Sequence, residues 1–323
     1  MNMKCVQVEQ INKFTIKEVP VPKPEKDEIL IKVLVTGLCR TDLKIIRVGH
    51  RDLVLPRIPG EEVVGLVHEV GPNVTDFQKG ELVYVYPGKW CEKCPMCKNN
   101  SENLCKEMRI MGFHRDGGFA EYVSAPVQSI IKVPENLTPE QAVFAEPLSC
   151  CLNALEKARL KKGDEIAIWG AGPAGTLLSR ASKALGANPV SFDPDERRSK
   201  LINGYTRRLD KDFDVCIVAV GERRAYEEAL VRVKPGGCAV IFSGLPTLDN
   251  AFHLSFNEIH YNEYTVVGAY GCCYRHGQEA LNFLKDGKIV VDDMISHKMS
   301  LYDLDEALDI VAERKGMKVL LYP

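Results

Sequence analysis

The run Glu165-Ile-Ala-Ile-Trp169, followed at once by Gly170-Ala-Gly-Pro-Ala-Gly175, restricts the fold of this chain more than any other stretch. The first part reads as a strand and the small residues beyond it as a helix, so the glycines fall in a strand-to-helix turn. Each glycine there has its own reason. Gly170 permits the tight turn, Gly172 lets a pyrophosphate approach the backbone, and Gly175 lets the helix lie close against the strand, with its amino end aimed at the anion. Pro173 and Ala174 complete the same cradle. A second strand-like run ends at Asp193, about 20 residues on, where a carboxylate accepts hydrogen bonds from the adenosine ribose and repels a 2′-phosphate. The expected cofactor is NAD. NADP is the alternative, because the guanidinium of Arg197 or Arg198 attracts such a phosphate.

Apolar runs continue to alternate with helix-like stretches around this turn, at Pro189 to Asp193, Asp214 to Val220, Arg224 to Val233 and Cys238 to Ser243. That pattern fits a parallel sheet buried on both faces. Residues 1 to 145 have a different texture: short β-rich segments such as Glu28 to Thr36 and Glu61 to Val70, broken by proline and glycine, which suggest a barrel or curled sheet. Beyond Gly271 come two helical stretches, Gln278 to Lys285 and Leu304 to Arg314, and a strand-like Lys318 to Tyr322. At 323 residues the chain is long enough for more than one core.

Charge narrows the function. With 42 basic against 44 acidic residues there is no net positive field to hold a phosphate backbone, so no nucleic-acid partner is expected. The absence of an 18-residue apolar run and of a leader-like start points to a cytoplasmic protein with no membrane partner.

Four of the 12 cysteines crowd into one loop: Cys91, Cys94, Cys97 and Cys105. Four thiolates make a closed tetrahedral shell for Zn²⁺ with no room for a substrate, so this site is expected to be structural, ordering a loop that has no core of its own. An iron–sulfur cluster uses the same ligands and is the minor alternative.

Taken in order, Gly37-Leu-Cys-Arg-Thr-Asp42, Pro59-Gly-Glu-Glu-Val63, the cysteine loop, Asp116-Gly-Gly-Phe-Ala-Glu-Tyr122, Glu146-Pro-Leu148 and the glycine turn resemble the zinc-containing medium-chain dehydrogenase/reductase family over nearly the whole chain. The resemblance implies an α/β fold. A doubly wound parallel Rossmann sheet, residues 148–271, would be inserted into a GroES-like β-barrel substrate domain built from 1–147 and 272–323. It implies that Cys39 is a thiolate ligand of a catalytic metal, Thr41 the hydroxyl that takes the substrate proton, Asp42 a carboxylate standing behind the ligands, and Glu146 a third ligand. Val220, Gly244 and Ala269 resemble residues of the turns that line the nicotinamide. The implied reaction is NAD(P)-linked oxidation of a secondary alcohol (a polyol, sugar or hydroxy amino acid) by hydride transfer from a metal-held alkoxide. A homodimer or homotetramer is the family habit. The rivals are a metal-free NAD(P)H reductase and a non-catalytic dinucleotide-binding protein with an impaired metal site.

Two departures bear on that expectation. The family's histidine ligand should stand at 61, but the chain has Glu61 followed by Glu62, so either carboxylate is a candidate ligand. Thiolate plus two carboxylates leave a Zn²⁺ site at −1, which acidifies bound water or alcohol less well. Three outcomes are open: zinc with a higher working pH, a harder divalent ion preferring oxygen, or an empty site. Lys44, where the family often has a relay histidine, would offset the charge if it reached the site, and His50 is the best stand-in for the relay. Secondly, only 28 positions separate Asp193 from Gly221. The sheet is therefore expected to be shortened, with an outer strand missing around Ser199 to Asp212.

Overall fold

The computed structural model describes residues 1–195, 198, 211–245 and 255–323. It divides the chain into two compact units, Met1–Glu146 with Cys273–Pro323, and Pro147–Cys272.

In the first unit, the described residues form a seven-stranded sheet. Its order is Ile295–Ser300, Lys318–Tyr322, Glu28–Leu38, Glu62–Val70, Leu82–Val85, Ile130–Lys132, with Tyr122–Pro126 also pairing with Glu28–Leu38. All pairings but the first are antiparallel. The long strand Glu28–Leu38 is buried almost throughout and carries apolar residues on both faces. One face supports a core of Ile29, Ile31, Val63, Val83 and Ile130. The other supports Leu30, Ile46, Phe119, Leu304 and Leu321. The strands flanking Glu28–Leu38 come from opposite ends of the chain: Gly37 is opposite Glu62 on one side and Leu320 on the other. This register brings residues far apart in sequence to one point of the sheet.

In the second unit, the described strands form a five-stranded parallel sheet. Its order is Asn188–Phe192, Glu165–Trp169, Phe213–Val218, Val233–Ile241, Thr265–Gly268. Trp169, Phe213, Cys216 and Val218 lie in its core, consistent with strands covered on both faces. Consecutive strands leave Glu165–Trp169 on opposite sides, so the glycine turn after Trp169 sits where the strand order reverses, the place at which open α/β sheets receive ligands. The segment expected to lack an outer strand lies, up to residue 210, outside the described residues, as does Arg197. Among the described residues no helix is long and apolar enough to cross a membrane.

Candidate active site

The helix Arg40–Arg47 begins directly after the strand Glu28–Leu38, and Cys39 is its N-cap. The cap is reciprocal. The Asp42 N–H donates to Cys39 Sγ at 3.4 Å, while Asp42 Oδ2 accepts from the Cys39 N–H at 2.9 Å and from its thiol at 3.0 Å. Thiol and carboxylate are thereby fixed side by side by local helix geometry. Glu61, just before the strand Glu62–Val70, joins them: one ligand atom each from Cys39, Asp42 and Glu61 lie within 4.8 Å of one another.

Glu62 faces a different partner. Lys318 Nζ donates to its two carboxylate oxygens at 2.6 and 2.5 Å, and neither side chain is more than 3% exposed. The contact depends on Gly37, because the Glu62 carboxylate occupies the place a Cβ at 37 would take. Burial opposes the charge on Lys318, yet Glu62, Cys39 and Glu146 together hold the ammonium above its usual pKa. Burial, followed by the carboxylates of Asp42, Glu62 and Glu61, pushes the Cys39 thiol well up, with Lys318 opposing them. Burial also raises Asp42, to about 6, despite its hydrogen bonds from Cys39. A divalent cation is the natural counter-charge for such a cluster, and the thiol and carboxylates are donors that fit one.

The cysteine loop forms a second, closed site. Its four sulfurs lie within 4.8 Å of one another, with pairs at 3.4, 3.6 and 3.9 Å, close to the edge of about 3.8 Å that a tetrahedron of Zn–S bonds requires. The Cys97 N–H, with lesser help from neighbouring thiols, lowers Cys94 to about 7, while burial and the neighbouring thiols raise Cys97 to about 12. The loop is tied to the strand-and-helix segment that re-enters this unit: the Tyr274 N–H donates to Glu102 at 2.7 Å and the Cys273 thiol to Asn103 at 3.1 Å.

In the other unit, Gly170 adopts φ +103°, a region open to glycine at no steric cost. A Cβ at Gly175 would strike the Gly170 carbonyl. Gly172 caps the helix Pro173–Ala184 without a side-chain hydrogen bond to its first N–H groups, leaving the amino end suited to an anion. Asp193 braces this turn: Oδ2 accepts from Ala171 N at 2.7 Å and Oδ1 from Asp195 N at 2.9 Å. The Arg198 guanidinium lies against Gly172, where an added Cβ would come within 2.9 Å of Nη1. Val220, Gly244 and Ala269 all follow the carboxyl ends of parallel strands. The linking hydrogen bonds run from Ala219 N to Trp169 O at 2.8 Å, Ser243 N to Val218 O at 3.2 Å and Ala269 N to Ile241 O at 3.0 Å.

The family model for the alcohol dehydrogenase GroES-like domain matches residues 25–135. L-Threonine 3-dehydrogenase of Pyrococcus furiosus is 33% identical, over 94% of this chain and 93% of its own. The chain belongs to the zinc-type medium-chain dehydrogenase family. Sorbitol dehydrogenase of Bacillus subtilis is 30% identical, covering 100% of this chain and 98% of its own. A Sinorhizobium meliloti protein described as a zinc-binding dehydrogenase, solved bound to NADP, superposes with a TM-score of 0.92 at 29% identity over 100% of both chains. This dehydrogenase is thus a member of the NAD(P)-dependent polyol and threonine group, with a four-cysteine zinc cluster and a catalytic metal-site group.

Within the dehydrogenase, the residues expected from sequence are distributed unevenly. Cys39, Asp42 and Glu61 come together. Glu146 opens the helix Ala145–Lys157 and is not part of that trio, although its charge reaches Lys318. Thr41 is exposed on the first turn after Cys39. Lys44 does not supply the compensating cation: it is exposed on the outer side of the helix Arg40–Arg47, and the buried ammonium is that of Lys318. No local signal marks Lys318, which reads as the polar first residue of an apolar strand. His50 accepts the Asp52 N–H at 3.2 Å and meets the Phe113 ring edge-on at 5.0 Å. Cys273, buried at the start of the helix Tyr274–Lys285, is a hydrogen-bond donor to the cysteine loop.

Proposed function

We propose that this enzyme oxidises a secondary alcohol of a polyol, sugar or hydroxy amino acid, with NAD in preference to NADP, at a divalent cation held by Cys39, Glu61 and Glu146. The observation that carries the reading is the convergence of Cys39, Asp42 and Glu61 within 4.8 Å beside a buried ammonium; Glu146 is included as the third ligand that the family resemblance implies, and its charge reaches Lys318. A bound cation supplies Lewis-acid polarisation of the substrate hydroxyl, and the nicotinamide accepts the hydride. The chain's own groups do the rest. Lys318 holds Glu62 in place and offsets part of the excess negative charge. Thr41, exposed on the turn that carries the thiol, accepts the hydrogen bond of the substrate hydroxyl and relays its proton to solvent. Gly170 to Gly175 seat the pyrophosphate, Asp193 receives the adenosine ribose, Arg198 steadies the anion, and Val220, Gly244 and Ala269 line the nicotinamide end.

NAD preference is supported by the Asp193 carboxylate at the turn, which disfavours a 2′-phosphate. Assembly as a dimer or tetramer is supported by the strand Thr265–Gly268, which among the described residues pairs on one side only. A cytoplasmic setting is supported by the twelve cysteines, all described and none disulfide-bonded.

Metal content per chain by plasma mass spectrometry, together with turnover on polyols, sugars and threonine, tests the reading. About two metals per chain and NAD-linked oxidation of one of these classes are expected. One metal per chain, lost only with the cysteine loop, overturns it.

A further inference from the structure

The Asp42 carboxylate is wholly buried, and only one of its oxygens is used. Oδ2 accepts from the Cys39 N–H and thiol, whereas Oδ1 has no hydrogen-bond partner among the described residues. A carboxylate behind a metal-binding histidine ordinarily accepts the N–H of that ring. In this chain position 61 is a glutamate, which when ionised has no hydrogen to donate. The group that would satisfy Asp42 is therefore replaced by a second acceptor within 4.8 Å of it. The nearby ammonium does not resolve the conflict, because Lys318 is engaged with both oxygens of Glu62. An unsatisfied buried carboxylate oxygen is costly, and the half-buried thiol and second carboxylate beside it complete a donor set that suits a divalent cation.

We infer that Asp42 binds the catalytic divalent cation directly, as a ligand additional to Cys39 and to Glu61, which stands where the family has its imidazole. The inference rests on the reading that a cation works at Cys39, and it changes the donor set to one sulfur and at least two oxygens. Such a set moves relative affinity from Zn²⁺ toward harder ions such as Mn²⁺, compared with a site that contains imidazole.

The test is Co²⁺ binding to the full-length enzyme with its cysteine-loop zinc retained, followed by the thiolate-to-cobalt absorption band, in a cycle of Asp42→Asn and Glu61→His. Asparagine keeps a carbonyl to accept from the Cys39 N–H, so the helix cap survives, but it offers no anionic donor. Asp42→Asn is expected to weaken Co²⁺ by more than about 1,000-fold in the parent and by about 10- to 100-fold in the Glu61→His background, the range for a supporting carboxylate. Asp42→Ser serves the same comparison if the asparagine variant does not fold. In addition, the Zn²⁺-to-Mn²⁺ affinity ratio is expected to widen on Glu61→His. An equal loss in both backgrounds, or no loss, overturns direct ligation while leaving a cation at Cys39. A parent enzyme with no cobalt band abolished by Cys39→Ser overturns both readings.

Discussion

Lys318 and Glu62 stand 256 positions apart in sequence and form a buried ion pair beside the Cys39 thiol, across a gap that Gly37 leaves in the sheet. Both belong to strands that flank Glu28–Leu38. Removing one partner strands the other charge in the interior. Lys318→Met is expected to destabilise the enzyme by about 3–5 kcal/mol, read from the denaturant midpoint of unfolding. Adding Glu62→Gln should restore more than half of the loss, since the carboxylate charge is then gone. A Lys318→Met midpoint equal to that of the parent contradicts this account of the pair.

The cysteine loop has little apolar interior of its own, and its links to Tyr274 and Cys273 are polar. Cys97→Ser is expected to release one zinc per chain and to make the loop the first site of protease cleavage. Metal content and limited proteolysis measure the two effects. Retention of full zinc would show that the four sulfurs are not one site.

At the glycine turn Asp193 braces the backbone, and in the proposed function its charge is what disfavours a 2′-phosphate. Asp193→Asn keeps an acceptor for the Ala171 N–H and removes the charge. NADH affinity should fall modestly while NADPH affinity rises, moving the NADPH-to-NADH ratio by about tenfold or more, a change of about 1.4 kcal/mol. Fluorescence titration with each reduced nucleotide gives the ratio, and an unchanged ratio refutes the assignment.

Asp214 provides a pH prediction away from both metal sites. Burial pushes its carboxyl up, but the Glu165 N–H and Lys234, each at 2.9 Å, outweigh burial and hold it below the usual aspartate value. A folded-state pKa lower than the unfolded value of about 3.9 stabilises the protein above that value, and the contribution is lost as pH falls through the folded-state pKa. Between pH 5 and pH 3 the urea midpoint of Asp214→Asn should therefore fall less steeply than that of the parent. Parallel curves would remove Asp214 from the acid limb.

What was legible in the sequence was local. The glycine turn, Asp193 and the four cysteines are encoded by short spacings within one loop or one βα unit, and their geometry follows from a few consecutive backbone angles. Cys39 and Asp42 were legible only through the family resemblance; that they are the two ends of one helix cap is what the structure adds. Lys318 was not, because its role depends on which strand lies beside Glu28–Leu38, and an antiparallel register across the whole chain has no short-range signature. The charge deficit caused by Glu61 was visible, but its remedy was sought at Lys44, the nearest lysine in sequence, whereas the sheet supplies it from Lys318.

The strand Lys318–Tyr322 has a consequence for how the molecule is made. While the polypeptide emerges from the ribosome, Glu62 is synthesised long before its ammonium partner, and the whole of Pro147–Cys272 is translated in the interval. All the described strands of the inserted unit are translated before the last strands of the other unit. Nascent chains arrested ahead of codon 318 should therefore show protease sensitivity in the metal-binding unit and protection in the nucleotide-binding unit.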